Sequence, residues 1–149
     1  MTGLDANLLL YSLNPDSKDH ASAKGFLREI FADRSGAVAI ADYVLVELYV
    51  LLRNPAVMAR PLSSLQAVEL VTSYWKFPTV VRVENAEVMD RVWKLARRED
   101  FSRRRIFDVR LGETLRHHGV THLATANVKD FQGLGFEKVW NPLTEETNL

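Results

Sequence analysis

The sequence predicts an α/β fold: a central parallel sheet of about five strands with helices on both faces. Two observations carry this. Five apolar runs, residues 2–5, 38–41, 79–83, 122–125 and 136–140, are short and mostly uninterrupted by polar side chains, which is how strands buried on both faces read. Between them lie segments with helical spacing and helix-end punctuation, and strands alternating with helices imply parallel pairing.

In chain order, the run at 2–5 ends in Asp5 and leads into a strongly apolar stretch, Leu8-Leu9-Leu10-Tyr11. Residues 17–32 place Ala21, Phe26, Leu27 and Ile30 on a common side and stop before Gly36, as a helix would. After the second strand, Asp42 is positioned to cap a helix carrying Val44, Leu45, Leu48, Leu51 and Leu52, which Asn54-Pro55 ends. Ser63 with Gln66 three residues on resembles a capping box and opens a helix over 64–75. Asn85 is the expected cap of a helix over 86–97, with Glu87 in its first turn and Val88, Val92, Leu95 and Ala96 on its apolar side. A last helix runs from about Arg105 to His118, with Gly119 as a left-handed stop. Gly133-Leu134-Gly135 is a turn, because it lacks the strand-before and helix-after setting of a dinucleotide loop.

The length of 149 residues suits one domain, read here as residues 1–143 followed by a C-terminal tail at 144–149. The absence of cysteine excludes a disulfide scaffold, a zinc finger, an iron–sulfur protein and a thiol enzyme, and it suits a reducing cytoplasm. Nineteen basic residues balance nineteen acidic ones, so the whole molecule is no polycation and any nucleic-acid contact must come from a local patch. The first eleven residues contain Asp5 and Asn7 and lack a basic leader, so no signal peptide is expected. No apolar run approaches the ~20 residues that span a bilayer, so no membrane association is expected.

Most acidic residues sit where a solvated surface would put them, and four do not. Asp5 ends the first strand; Glu47 lies between Val46 and Leu48 on a helix apolar over most of its circumference. Asp108 follows Ile106-Phe107 in the first turn of the last helix, and Asp130 falls just after the fourth strand. In a parallel sheet the carboxyl ends of the strands form one edge, where ligands bind. Asp5 and the loop at 127–130 reach that edge directly, helix starts bring Asp108 to it, and Glu47 projects there from the second turn of its helix. Carboxylates converging in a partly buried pocket repel unless a cation neutralises them. Oxygen ligands of this kind suit Mg²⁺ or Mn²⁺, which can activate water for phosphodiester displacement, with two metals ~3.5–4 Å apart in many such sites. Each residue also has a structural alternative: Asp5 as a backbone cap, Glu47 as a surface residue, Asp108 as a dipole-favoured first-turn acid, Asp130 as a turn residue.

Four segments together resemble the successive motifs of PIN domains, and most closely the VapC-type ribonuclease toxins of bacterial toxin–antitoxin pairs. They are Leu4-Asp5-Ala6-Asn7-Leu8-Leu9-Leu10-Tyr11, Val44-Leu45-Val46-Glu47-Leu48, Ile106-Phe107-Asp108 and Thr125-Ala126-Asn127-Val128-Lys129-Asp130-Phe131, and they cover nearly the whole chain in order. The resemblance implies a Rossmann-like sheet and a Mg²⁺- or Mn²⁺-dependent endoribonuclease. It maps the family's first and third acids onto Asp5 and Asp108, the second onto Glu47, and a small polar residue onto Thr125. Many relatives carry an Asp two residues after that Thr, where this chain has Asn127; Asp130 is the nearest substitute for the missing charge. On this reading Asp5, Asp108 and Glu47 are the metal ligands, Asn7 and Thr125 orient them, and the attacking species is metal-activated water. The resemblance further implies an RNA substrate, a cognate antitoxin and a homodimer.

Arg103-Arg104-Arg105, with Arg97-Arg98 before and Arg110 after, is the densest basic cluster, and Arg104, Arg105 and Arg110 suit RNA phosphates at the mouth of the site; the plainer reading is a solvated loop and helix start. Tyr43 and Phe107 are candidates to stack a base, with core packing the simpler role for Phe107. His117-His118 read as dipole-favoured imidazoles at a helix end, and Trp75, Trp93 and Trp140 as core or interface anchors. The apolar excess on residues 43–52 and 65–75 suggests a dimer or antitoxin groove. Two other functions compete: a haloacid-dehalogenase-like phosphatase, disfavoured because Asn7 stands where that class needs a second Asp, and a catalytically silent PIN-like binding module, which Asn127 would suit.

Overall fold

A computed structural model describes residues 1–144, so apart from Thr144 the expected tail lies outside the described residues. Five strands, β1 (Thr2–Leu4), β2 (Val38–Ala41), β3 (Val80–Val83), β4 (His122–Ala124) and β5 (Lys138–Trp140), form one sheet in the order β3-β2-β1-β4-β5. Every neighbouring pair is parallel, with Thr2 in register with Val38 on one side and His122 on the other. The chain builds outward from β1 to β3, then returns to lay β4 on the opposite flank of β1. The strand order therefore reverses between β1 and β4, the place where such sheets open a crevice at their carboxyl edge.

Seven helices connect the described strands: α1 (Ala6–Leu13), α2 (His20–Ala32), α3 (Asp42–Leu52), α4 (Ser64–Ser73), α5 (Met89–Ala96), α6 (Arg105–His117) and α7 (Val128–Phe131). Right-handed crossovers in opposite directions put α1–α4 on one face and α5–α7 on the other. The packing agrees, since α1 lies against α2 and α3, while α6 lies against α5 and α7. The core between these layers holds Leu4, Leu8, Leu9, Ile40, Leu48, Leu115, Leu123 and Phe131, all fully buried.

Where expectation and structure differ, the reason is local. The apolar stretch after Asp5 is helix α1; Leu8, Leu9 and Leu10 are buried in succession, and the half-buried Asn7, Tyr11 and Ser12 leave only a narrow polar side to mark a helical period. Asp42 does not cap α3 but is its first residue, because its carboxylate is engaged by Arg82 of β3 at 2.8 and 3.2 Å. Asn85 does not cap α5, which starts only at Met89, after Val88 turns into the core through a bond from its N–H to the Ala86 carbonyl. α2 starts at His20 rather than 17, because Ser17 closes a turn with the N–H groups of Asp19 and His20. The helix at 64–75 tightens into a 3₁₀ turn, Tyr74–Lys76, in its last residues.

Other signals hold. Ser63 and Gln66 exchange both bonds of a capping box. Gly119 takes φ 79° as the stop of α6, and Gly133 and Gly135 take 79° and 86° in the turn before β5.

Candidate active site

The carboxyl ends of β1 and β4 supply the floor. Asp5, the residue after β1, turns the chain into α1: its Oδ1 accepts the Ala6 N–H at 2.7 Å, capping the helix. Its Oδ2 accepts the Thr125 hydroxyl at 2.7 Å and the Asn7 side-chain amide at 3.1 Å. Thr125, fully buried just beyond β4, in turn accepts the Asn127 N–H at 3.0 Å, and the Asn7 side-chain Oδ1 accepts the Ala126 N–H at 3.2 Å. Adjacent strands at the reversal point are thus stitched together through one carboxylate. Capping and site placement, two readings that the sequence left as alternatives, coexist in Asp5.

Above this floor opens a cleft of ≈ 560 Å³. Tyr43, Val46 and Glu47 line it from α3; Arg104, Phe107, Asp108 and Leu111 from the start of α6; Asn127 and Asp130 from the segment after β4. Asp5 is only 6% exposed and is not part of the wall, yet its charge is felt there. Burial first, then the carboxylates of Asp5, Asp130 and Glu47, push the Asp108 carboxyl up to about 7, against the pull of Arg105. Desolvation, followed by Asp5, also raises Glu47, although much of that side chain faces water. Burial raises Asp5 above the ordinary carboxylate range, with Asp130 adding to it and the three hydrogen bonds opposing it. Carboxylates that raise one another in this way share one electrostatic neighbourhood.

The four acids singled out in the sequence therefore meet at one place. Among the described residues, however, no three His, Cys, Asp or Glu side chains stand close enough together to enclose a metal ion as placed. Even so, the donor set fits a hard divalent cation: carboxylate, amide and hydroxyl oxygens, with repulsion that a dication would relieve. Closing on an ion takes side-chain rotation, and Asp5, held by three hydrogen bonds, has the least freedom to rotate.

The basic residues divide. Arg104 is exposed on the cleft wall. Arg105 instead reaches the carbonyls of Asp130 and Gln132 at 3.5 and 3.3 Å and lies over Phe101, so it braces the loop that carries Asp130. The Arg110 guanidinium sits 5.3 Å from the centre of the Tyr43 ring. Phe107 is not in the core: it is 60% exposed. Sequence reasoning gave Tyr43 no structural task, yet its hydroxyl donates to the Phe107 carbonyl at 2.8 Å, tying α3 to the turn that holds Asp108. The four-residue spacing from Tyr43 to Glu47 places both on one face of α3 but carries no signal of this bond, which spans 64 residues of chain. Trp93 is half exposed, whereas Trp75 and Trp140 pack on the core. His118 bonds the Glu84 carbonyl at 2.9 Å, a structural contact.

No family model matches the sequence. It is, however, 45% identical over 146 residues to Ribonuclease VapC24 of Mycobacterium tuberculosis, in strains CDC 1551 / Oshkosh and ATCC 25618 / H37Rv, covering 98% of this chain and 99% of the relative. The chain belongs to the VapC ribonuclease family. Solved structures repeat the fold at lower identity. Mycobacterium tuberculosis VapC20, described as a sarcin–ricin loop cleaving toxin, superposes with TM-score 0.60 at 16% identity, over 83% of this chain and 87% of that one. FitAB bound to an IR36 DNA fragment superposes with TM-score 0.64 at 17% identity over the whole of both chains. FitAcB from Neisseria gonorrhoeae gives 0.61 at 15%, over 97% of this chain and all of that one. The expected Rossmann-like PIN architecture is thus the one observed, in a VapC chain.

Proposed function

We propose that this VapC chain is a divalent-metal-dependent endoribonuclease that hydrolyses RNA phosphodiester bonds and acts as the toxin of a toxin–antitoxin pair. The observation that carries the reading is a cleft at the strand-order reversal lined by Glu47, Asp108 and Asp130, with Asp5 buried beneath it; burial and these neighbours push the Asp108 carboxyl up, in keeping with that crowding. A cluster so poised binds cations, and its position at the strand-order reversal is where such folds do chemistry. The 45% identity to a protein named ribonuclease supports the reaction class.

Asp5, Asp108 and Glu47 would hold Mg²⁺ or Mn²⁺, with Asp130 supplying the fourth charge where Asn127 brings only an amide. When bound there the cation supplies a Lewis acid that polarises the phosphate and lowers the pKa of water. Thr125 and Asn7 orient Asp5 through its Oδ2. Glu47, the most solvated of the three, is placed to accept the proton of the attacking water. Arg104 meets the phosphate charge at the cleft wall. Membership of the family supports a separate antitoxin chain as partner and the cytoplasm as location. No described helix is long and apolar enough to cross a membrane. A homodimer is supported by the exposed Val50 of α3 and Leu65 and Val68 of α4.

The test is cleavage of total RNA with and without Mg²⁺ or Mn²⁺, on wild type and on Asp5→Asn and Asp108→Asn. If each carboxylate supplies several kcal/mol of transition-state stabilisation, each variant should lose on the order of 10²- to 10³-fold while remaining folded. Wild type that cuts nothing with either metal would leave a silent binding module.

A further inference from the structure

A one-turn helix cannot hold a carboxylate in place by itself. α7 has four residues, too few to repay the cost of starting a helix, and the Asn127 side chain does not cap it. Asp130 therefore stands where tertiary contacts put it. One is Phe131, fully buried. The other is Arg105, whose Nε donates to the Asp130 carbonyl at 3.5 Å and whose Nη2 donates to the Gln132 carbonyl at 3.3 Å. Carbonyls at the end of a helix have no partner within it, and a cationic side chain is a common way to satisfy them. Arg105 is the first residue of α6, and its guanidinium lies over the Phe101 ring at 5.6 Å, which limits its swing. Among the described residues it makes no ion pair, although Asp108 stands in the same turn. Its donors go to backbone, and the carboxylate oxygens of the cleft are left for a cation.

We propose that Arg105 is a positioning residue: by clipping the first turn of α6 to the end of α7 it sets the span between the Asp108 and Asp130 carboxylates, and so the fit of the cleft to a divalent cation, instead of contacting RNA. The inference rests on the metal-site reading of the cleft and adds the residue that sets its width. A planar fork on two carbonyls fixes orientation as well as distance, whereas a lysine supplies the same charge at a single point. The sign of the charge makes the role separable. A positive side chain beside a cation site repels the ion, so if charge alone counted, neutralising Arg105 would tighten cation binding. Positioning requires the opposite: weaker binding when the fork is removed, and weaker binding also when Lys keeps the charge. Arg104, exposed on the cleft wall, is left as the RNA contact.

The experiment is calorimetric titration of Mn²⁺ into wild type, Arg105→Met, Arg105→Lys, Asp130→Asn and the double variant Arg105→Met with Asp130→Asn. Thermal melts show that each is folded at the titration temperature, and Lys carries the comparison should Met unfold. Met keeps the stem over Phe101 and removes the fork. Losing a group that orients metal ligands weakens affinity by about 10- to 100-fold, and both Arg105 variants should fall in that range. In Asp130→Asn, which lacks the charge being positioned, the Met substitution should change affinity by no more than about twofold. In metal-free protein the Asp130 amide, bonded to the Asn127 carbonyl, should exchange faster in both Arg105 variants. At saturating Mn²⁺ their KM for RNA should match wild type. Unchanged or tighter Mn²⁺ binding by Met, or wild-type binding by Lys, would reduce Arg105 to a nearby charge and overturn the proposal. So would a full effect in Asp130→Asn, which would place its action elsewhere, or a raised KM for RNA with unchanged Mn²⁺ affinity, which would make it an RNA ligand. Wild type that takes up no Mn²⁺ would instead overturn the metal-site reading beneath it.

Discussion

A single side chain, Asp108, shows how the site works before any ligand arrives. Its raised carboxyl means that the folded protein holds this proton more tightly than the unfolded chain does. Its contribution to stability is therefore fully present below about pH 4 and is lost as the pH rises to about 7. Asp5 and Glu47 are shifted the same way and add to that trend. A divalent cation reverses the sign by stabilising the ionised forms. Thermal melts should show Mn²⁺ raising Tm clearly at about pH 8 and little at about pH 5, where protons outcompete it. An equal shift at both would contradict the coupling. Tyr43→Phe removes one hydroxyl and its bond to the Phe107 carbonyl, at about 0.5–1.5 kcal/mol of stability. If that bond sets Glu47 against Asp108, the variant should also need more metal for half-maximal cleavage. This residue-scale wiring was only half legible in the sequence. The acids stood out as charges in apolar company and Thr125 through the family resemblance, but the bond from Tyr43 to the Phe107 carbonyl joins partners too distant in the chain to be read.

At the level of elements, what was readable depended on whether a segment has a wet face. α4 announced itself with a capping box, and α6 with its glycine stop. α1, a short helix with Leu8, Leu9 and Leu10 buried in succession, gave only a weak period, and α7 is too short to have one. The last of these matters for function, since α7 carries Asp130 beside Phe131, which is fully buried and anchors the segment. Phe131→Ala should cost about 3–5 kcal/mol and, in chemical denaturation, lower the midpoint accordingly. If the anchoring argument is right, activity per folded molecule should fall as well. Ser63→Ala, by contrast, should cost ~1 kcal/mol through the lost cap and leave cleavage untouched, because α4 does not contribute to the cleft.

For the molecule as a whole, topology does the assembling. Starting the sheet at its middle strand and reversing between β1 and β4 gathers residues 5, 47, 108 and 130 at one edge. That edge was legible, because alternating strands and helices leave few arrangements. The side-chain geometry was not: Arg105 had the charge for RNA but is used to brace the loop. With charges balanced overall, binding to RNA must be local, and Arg104→Ala should flatten the salt dependence of single-strand affinity by about 0.7 in log–log slope. The most direct test is an anomalous-scattering map from a crystal soaked in Mn²⁺. A peak within coordination distance of the Asp5, Glu47 and Asp108 carboxylates is the result expected here, whereas a map with no peak in that cleft, or with Mn²⁺ bound only elsewhere, would contradict the account.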